Sequence, residues 1–309
     1  MSLEAQPEEI QAVPIRHYGR WLAAALILAV VVWLGAAAAN SHAVSMAAVR
    51  RYLFNPVILR GLRNTVILAV LAQVIGIALG IIAALMRRSV NPVLSVTSWL
   101  YIWLFRGTPV LVQLIFWYSA VPLAFKHLTI AVPFTHLTLY STRMVSFMTS
   151  FKAALIGLSL NEGAYMAEIV RAGITSVDEG QVEAAQALGM RAGLTMRRIV
   201  LPQAMRVIIP PTGNEFISML KTSSLASVIL YPELLRAATD IYSVNFLTLE
   251  LLIVASIWYL VLTSIATFGQ YYIERRYARG STRELPPTPL QKLRANLLRI
   301  RPAPSEAPR

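Results

Sequence analysis

Glu162, Glu168, Glu215 and Lys221 are ionisable side chains standing inside apolar stretches of this 309-residue sequence. A charge held in hydrocarbon costs about 3 kcal/mol or much more, so each such residue needs a partner or a task. On a helix, Asn161, Tyr165 and Glu168 (i, i+4, i+7) form one polar stripe, and Glu162 flanks it by about 100°. Glu215, Ser218 and Thr222 make a second stripe at i, i+3, i+7. Two such stripes facing one another would line a polar route, with Lys221 available to an anionic group. The competing use is structural: Glu168 with Arg171 at i+3, and Glu215 or Lys221 bonded to a neighbouring helix.

Other chemistry finds little support. There is no cysteine, which excludes disulfides, thiolate metal sites and cysteine nucleophiles. His17, His42, His127 and His136 are scattered without metal-ligand spacing. No arrangement of serines and carboxylates reads as a hydrolase. A phosphate loop needs G-x-x-x-x-G-K-[ST], and no glycine precedes Lys221-Thr222. The reading is of a protein that is not an enzyme, without a cofactor or metal of its own.

The elements that hold the stripes are read from composition. The chain is 56% hydrophobic and 14% charged, against roughly 45–50% and about 25% for a soluble domain. That excludes soluble enzymes and points to a bundle of membrane-spanning helices, an all-α fold. Apolar runs at 21–39, 64–86, 108–125, 152–174 and 246–272 are each about long enough to span. A sixth, 203–230, is broken by Pro210-Pro211-Thr212-Gly213, which suggests an unwound helix beside a route. The net charge of +13 lies mostly in segments that fall on one side if both termini are cytoplasmic, so membrane topology explains it and nucleic acid is not needed. Arg50, Arg51, Arg60 and Arg63 fall on the other side and oppose this orientation without overturning it. The run at 21–39 reads as a retained span, with a cleaved signal peptide as the alternative. The 92–107 segment, with Trp99, Tyr101, Trp103 and Arg106, suits a helix at the inner interface. In the basic tail, 290–300 has the spacing of a helix lying on anionic lipid, or else is part of a disordered tail. Gly76 and Gly80, and Gly163 with Ala167, read as small-residue helix contacts.

The 175–202 loop is the most informative stretch. Ser176 and Glu179 are spaced as a capping box that opens a short helix, and Gly189 is placed to stop it in a left-handed conformation. A second short helix at 194–200 ends before Pro202. Small alanines on their surface allow another protein to approach the backbone closely, so the loop reads as a docking element.

Here the sequence resembles a known family. Glu183-Ala184-Ala185, Gly189, Ile199 and Leu201-Pro202 match the spacing of the EAA motif of membrane subunits of bacterial ABC importers. Phe105-Arg106-Gly107-Thr108-Pro109 with Gln113, Gly163 through Arg171, and Asn214-Glu215-Phe216 with Leu220 through Leu225 are similar to its polar amino-acid branch. The resemblance covers about 62–272, the expected permease domain of type I importer fold. It leaves aside a cytoplasmic tail at 1–20, the extra span at 21–39 and the basic tail at 273–309. It implies a multi-pass protein of the bacterial inner membrane that carries a polar amino acid. It further implies a second permease copy or related chain, an extracytoplasmic solute-binding protein, and a cytoplasmic ATPase dimer that binds ATP and Mg and is docked by the EAA residues. An ion-coupled secondary transporter of amino acids is the alternative, but it has no need of such a loop.

Overall fold

The computed structural model describes residues 18–40, 44–131 and 138–277. Most of both tails, the 290–300 segment, and His17, His42 and His136 lie outside them. The helix α1 (Tyr18–Asn40) contains the apolar stretch Leu22–Trp33, whose side chains are exposed. The short helix α2 (Met46–Leu53) is capped by Ser45.

The long helix α3 (Pro56–Arg87) begins two turns earlier than the apolar run implies. Asn55 Oδ1 accepts from the Val57 N–H at 2.9 Å, and Pro56 supplies a first helical residue with φ already set. Arg60 and Arg63 therefore lie on α3, not in a preceding loop. Asn91 and Pro92 repeat this start for α4 (Pro92–Gly107). The 92–107 segment is thus helical as expected, yet it packs inward. Ser98 Oγ donates to the Ala83 carbonyl at 2.7 Å and Tyr101 Oη to the Leu160 carbonyl at 2.7 Å.

The chain then turns by 105° into a second arm, Val110–Ala124. That arm comprises α5 (Val110–Ile115), a π turn (Phe116–Ala120) and α6 (Val121–Ala124). Gln113 Nε2 holds the corner by donating to the carbonyls of Phe105 and Thr108 and to Thr108 Oγ1, at 2.8–3.1 Å. Next comes a two-stranded antiparallel hairpin, β1 (His127–Ala131) and β2 (Thr138–Arg143), which pairs His127 with Arg143. The described residues are mostly helical, in line with the expected all-α class, and this hairpin is their one sheet. Thr129, Ile130, Tyr140 and Thr142 favour strands locally, a signal too short to separate from loop.

After α7 (Met144–Phe147), α8 (Ser150–Thr175) packs along α3. Gly76, Gly80 and Gly163 set the closeness of that seam: an added Cβ would overlap Glu162, Met166, or Tyr101 and Leu79, respectively. The loop helix α9 (Glu179–Ala187) follows, then α10 (Ala192–Thr195), a π turn (Met196–Val200) and α11 (Leu201–Thr222).

Two expectations fail along this stretch. Pro202 does not end a helix; the π turn before it absorbs the missing N–H, and helix continues from Ala192 to Thr222. Pro210-Pro211-Thr212-Gly213 does not unwind α11 either. Thr212 Oγ1 donates to the Ile208 carbonyl at 2.8 Å, and Gln270 Nε2 to that of Pro210 at 3.2 Å. Gly213 lets Gln270 approach, since a Cβ there would lie 2.9 Å from its side-chain carbons.

A 3-10 turn (Ser223–Ser227) closes α11 well before residue 230. Then come α12 (Leu234–Asn245), read in the sequence as loop, and α13 (Thr248–Tyr277). The buried Glu233 carboxylate caps α12, accepting from the N–H groups of Leu235 and Arg236 and from Tyr259 Oη. Phe246 ends α12 with φ 61°, so the apolar run from 246 does not begin as helix.

Among the described residues, α3 and α13 are each long and apolar enough to cross a membrane, and the two arms around the 105° bend are so together. Helices α8 and α11 have the length, but they carry the polar stripes. One buried cluster joins α3, α5, α8 and α11 through Leu68, Leu114, Leu158 and Met219. Another joins α8 to α11 beside the 175–202 loop through Met166, Val170, Ala204 and Ile208.

Candidate functional site

The two polar stripes meet. A cavity of about 290 Å³ lies between α5, α8 and α11, and its polar walls are Asn161, Glu162, Tyr165, Glu215, Ser218 and Thr222. Val110, Leu158 and Met219 supply its apolar wall. Glu162 is 3% exposed and accepts from Gln73 Nε2 at 2.9 Å. Gly76 makes room for it, because any side chain there would occupy the space of the Glu162 methylenes. Asn161 Nδ2 donates to the Phe105 carbonyl at 2.8 Å, so this residue both faces the cavity and ties α8 to the corner after α4.

Two expected members lie elsewhere. Both Arg171 Nε and Nη2 donate to Glu168 Oε2, at 3.1 and 2.7 Å, as the structural pairing at i+3 implied. Glu168 lines a separate pocket of about 500 Å³ with Arg87, Trp99, Trp103, Arg106 and Tyr165. Lys221 is exposed and opens onto a third recess of about 390 Å³ with Ser224, Ser256, Tyr259 and Thr263. Lys221 precedes Thr222 by one residue, about 100° round the helix, which turns it off the face shared by Glu215, Ser218 and Thr222.

Sequence reasoning missed Gln73 and undervalued Arg106. Gln73 is the one polar side chain between Val66 and Met86, and that isolation was the available signal. The Arg106 guanidinium carbon sits 5.2 Å from the Tyr165 ring centroid.

The 175–202 loop departs from its expected start. Asp178, not Ser176, caps α9, with Oδ1 accepting from the Gly180 N–H at 2.8 Å. Ser176 Oγ instead donates back to the Gly173 carbonyl at 2.8 Å, at the end of α8. Both residues are cap formers, and the longer α8 decides between them. Gly189 has φ +73° as expected. The Gly189 N–H bonds the Gln186 carbonyl and the Met190 N–H the Ala185 carbonyl, the paired bonds that close a helix on a left-handed residue. Glu183, Ala184, Gly189, Leu201 and Pro202 are exposed, Ile199 is half-buried, and Ala185 is on the buried side of α9. Leu188 is 82% exposed, an apolar side chain held out at the tip of the loop. The loop therefore presents an acidic group, small residues and one large apolar side chain on a capped, defined backbone.

Residues 76–279 match the family described as binding-protein-dependent transport system inner membrane component. The arginine transport system permease protein ArgU of Corynebacterium glutamicum is 50% identical over 282 residues, covering 91% of this chain and 87% of that one. The glutamine transport system permease protein GlnP of Escherichia coli is 34% identical over 221 residues, covering 72% and 93%. Among solved structures, an amino acid ABC transporter with histidines superimposes with a TM-score of 0.64 at 36% identity, covering 75% of this chain and 99% of its own. The chain belongs to the family of binding-protein-dependent transport system inner membrane components, the permease subunits of ABC transporters.

Proposed function

We propose that this permease carries a polar or cationic amino acid through the cavity between α8 and α11, as part of an importer driven by a separate ATPase. The observation that carries the reading is that cavity's chemistry: two carboxylates, Glu162 and Glu215, stand among hydroxyl and amide groups with no basic residue in the lining. An ammonium or guanidinium group neutralises such a surplus, whereas an acidic side chain would add to it. The 50% identity to an arginine permease supports a cationic solute, with L-arginine the first to test. An ion-coupled carrier is not favoured, because the relatives are ABC permeases.

The remaining parts of this reading follow the family. The exposed EAA residues Glu183, Ala184, Gly189, Leu201 and Pro202, with Ile199 and the buried Ala185 shaping the same surface, dock the ATPase dimer. ATP and Mg are bound there and not on this chain. Both termini are cytoplasmic, α8 and α11 join α1, α3, α13 and the bent pair as spans, and 62–272 is the permease domain. A second permease subunit completes the route, and an extracytoplasmic binding protein delivers the solute.

The test is ATP-driven uptake of L-arginine by the reconstituted complex. Glu162→Gln is expected to lower uptake at least tenfold, since charge-assisted contacts contribute roughly 1.5–3 kcal/mol. Unaltered uptake kinetics would return Glu162 to a structural role with Gln73.

A further inference from the structure

Tyr165 lines two cavities at once: the carboxylate-rich one between α8 and α11, and the pocket formed with α3 and α4. The second lies further along α8 toward the 175–202 loop, since Glu168 follows Tyr165 by three residues, about 4.5 Å of helix. The charge of the second pocket is the reverse of the first. Its one carboxylate, Glu168, is already taken by Arg171. Its two guanidinium groups, Arg87 and Arg106, make no ion pair among the described residues; Arg87 Nη1 donates to Ser95 Oγ at 3.3 Å, and Arg106 rests on the Tyr165 ring. The stacked indoles of Trp99 and Trp103 form an apolar wall beside them.

Resting on the reading of an amino-acid route, the geometry points to a second solute station in this pocket, where Arg106 and Arg87 receive the α-carboxylate of the amino acid. The two compartments complement the two ends of one molecule. The cationic end faces Glu162 and Glu215, the carboxylate faces Arg106, and Tyr165 stands between. A guanidinium fork matches a carboxylate with two parallel hydrogen bonds, and a face-on ring contact is weak enough to exchange for them. Arg106 is exposed and adjoins Gly107 at the 105° corner, so it can swing off the ring without unpacking α4. In passing from one compartment to the other, the solute replaces Tyr165 as the partner of Arg106.

The indoles make the pocket readable without transport. The full-length permease, in its complex with the ATPase, is labelled with 5-fluorotryptophan and titrated with L-arginine, following fluorine resonances assigned by single Trp→Phe changes. The Trp99 and Trp103 signals are expected to shift, while those of Trp33 and Trp258 stay. L-argininamide, which lacks the carboxylate, is expected to leave all four unmoved. Arg106→Gln is expected to raise the half-saturating L-arginine concentration roughly ten- to hundredfold, the loss of a charged hydrogen bond, with partial recovery in Arg106→Lys. Silent indoles, equal shifts with L-argininamide, or shifts produced by phosphatidylglycerol and not by L-arginine would each overturn the station. Its failure is distinguishable from failure of the route. Silent indoles together with impaired uptake in Glu162→Gln remove only the station. Responsive indoles together with normal uptake in that variant remove only the placement of the α8–α11 cavity on the route.

Discussion

The seam between α3 and α8 and the loop around α9 are both built on small residues, and they use them for opposite ends. At the seam Gly76, Gly80 and Gly163 are buried, and a methyl group on any of them would collide with the facing helix. In the loop, Gly189 and Gly193 have nothing within reach of an added Cβ. Gly189 is required there for its left-handed backbone, and Ala184 is small on an exposed face. Absence of a side chain brings two helices of this chain together in one place and leaves open surface in the other. Glycine content alone does not separate the two uses; what faces each glycine does.

That contrast predicts graded effects. Gly80→Val puts a branched side chain against Met166 and the Ala167 backbone. It should cost at least 1–3 kcal/mol of overpacking, seen as a fall in the thermal midpoint in detergent and in the yield of folded protein. An unchanged midpoint would mean that the seam is not close-packed. Gly189→Val should cost about 1–2 kcal/mol, confined to the end of α9, because a branched residue resists positive φ. The midpoint should move less than for Gly80→Val, whereas L-arginine uptake and retention of the ATPase on purification should both be lost. Glu183→Ala should change stability by less than about 0.5 kcal/mol, as exposed substitutions commonly do, and still lower uptake. If uptake follows the melting point across all three variants, the loop is only another piece of packing and the contrast fails.

How much was legible from the residues differs between these regions. The facing of Asn161, Glu162, Tyr165, Glu215, Ser218 and Thr222 follows from helical spacing, because polar groups on helices packed in apolar surroundings have few alternatives to one another's company. Gly189 was legible because positive φ is a local demand. The proline pair in α11 was misread because the packing around it is not local: the helix runs on through both prolines against α13, where Gln270, 60 residues on, donates to the Pro210 carbonyl. The capping residue of α9 was misread because two cap formers lie two positions apart and only the end of α8 selects between them. Lys221 was grouped with the stripe by its charge, although its helical phase already set it on another side.

The unbroken helix from Ala192 to Thr222 has a mechanical consequence. Its near end lies in the 175–202 loop, and its far end carries Glu215, Ser218 and Thr222 into the cavity wall. With no unwound link to absorb movement, it acts as a lever. Thirty-one residues at 1.5 Å each make a shaft of about 45 Å, so a tilt of about 5° at the loop sweeps Ser218 through roughly 3 Å. Bending is concentrated at the π turn of Met196–Val200 and at Pro210-Pro211, where the hydrogen-bond ladder is interrupted. A tilt of the loop end would thus arrive at the cavity as a change in its width, with the stiffness of one helix setting the gain.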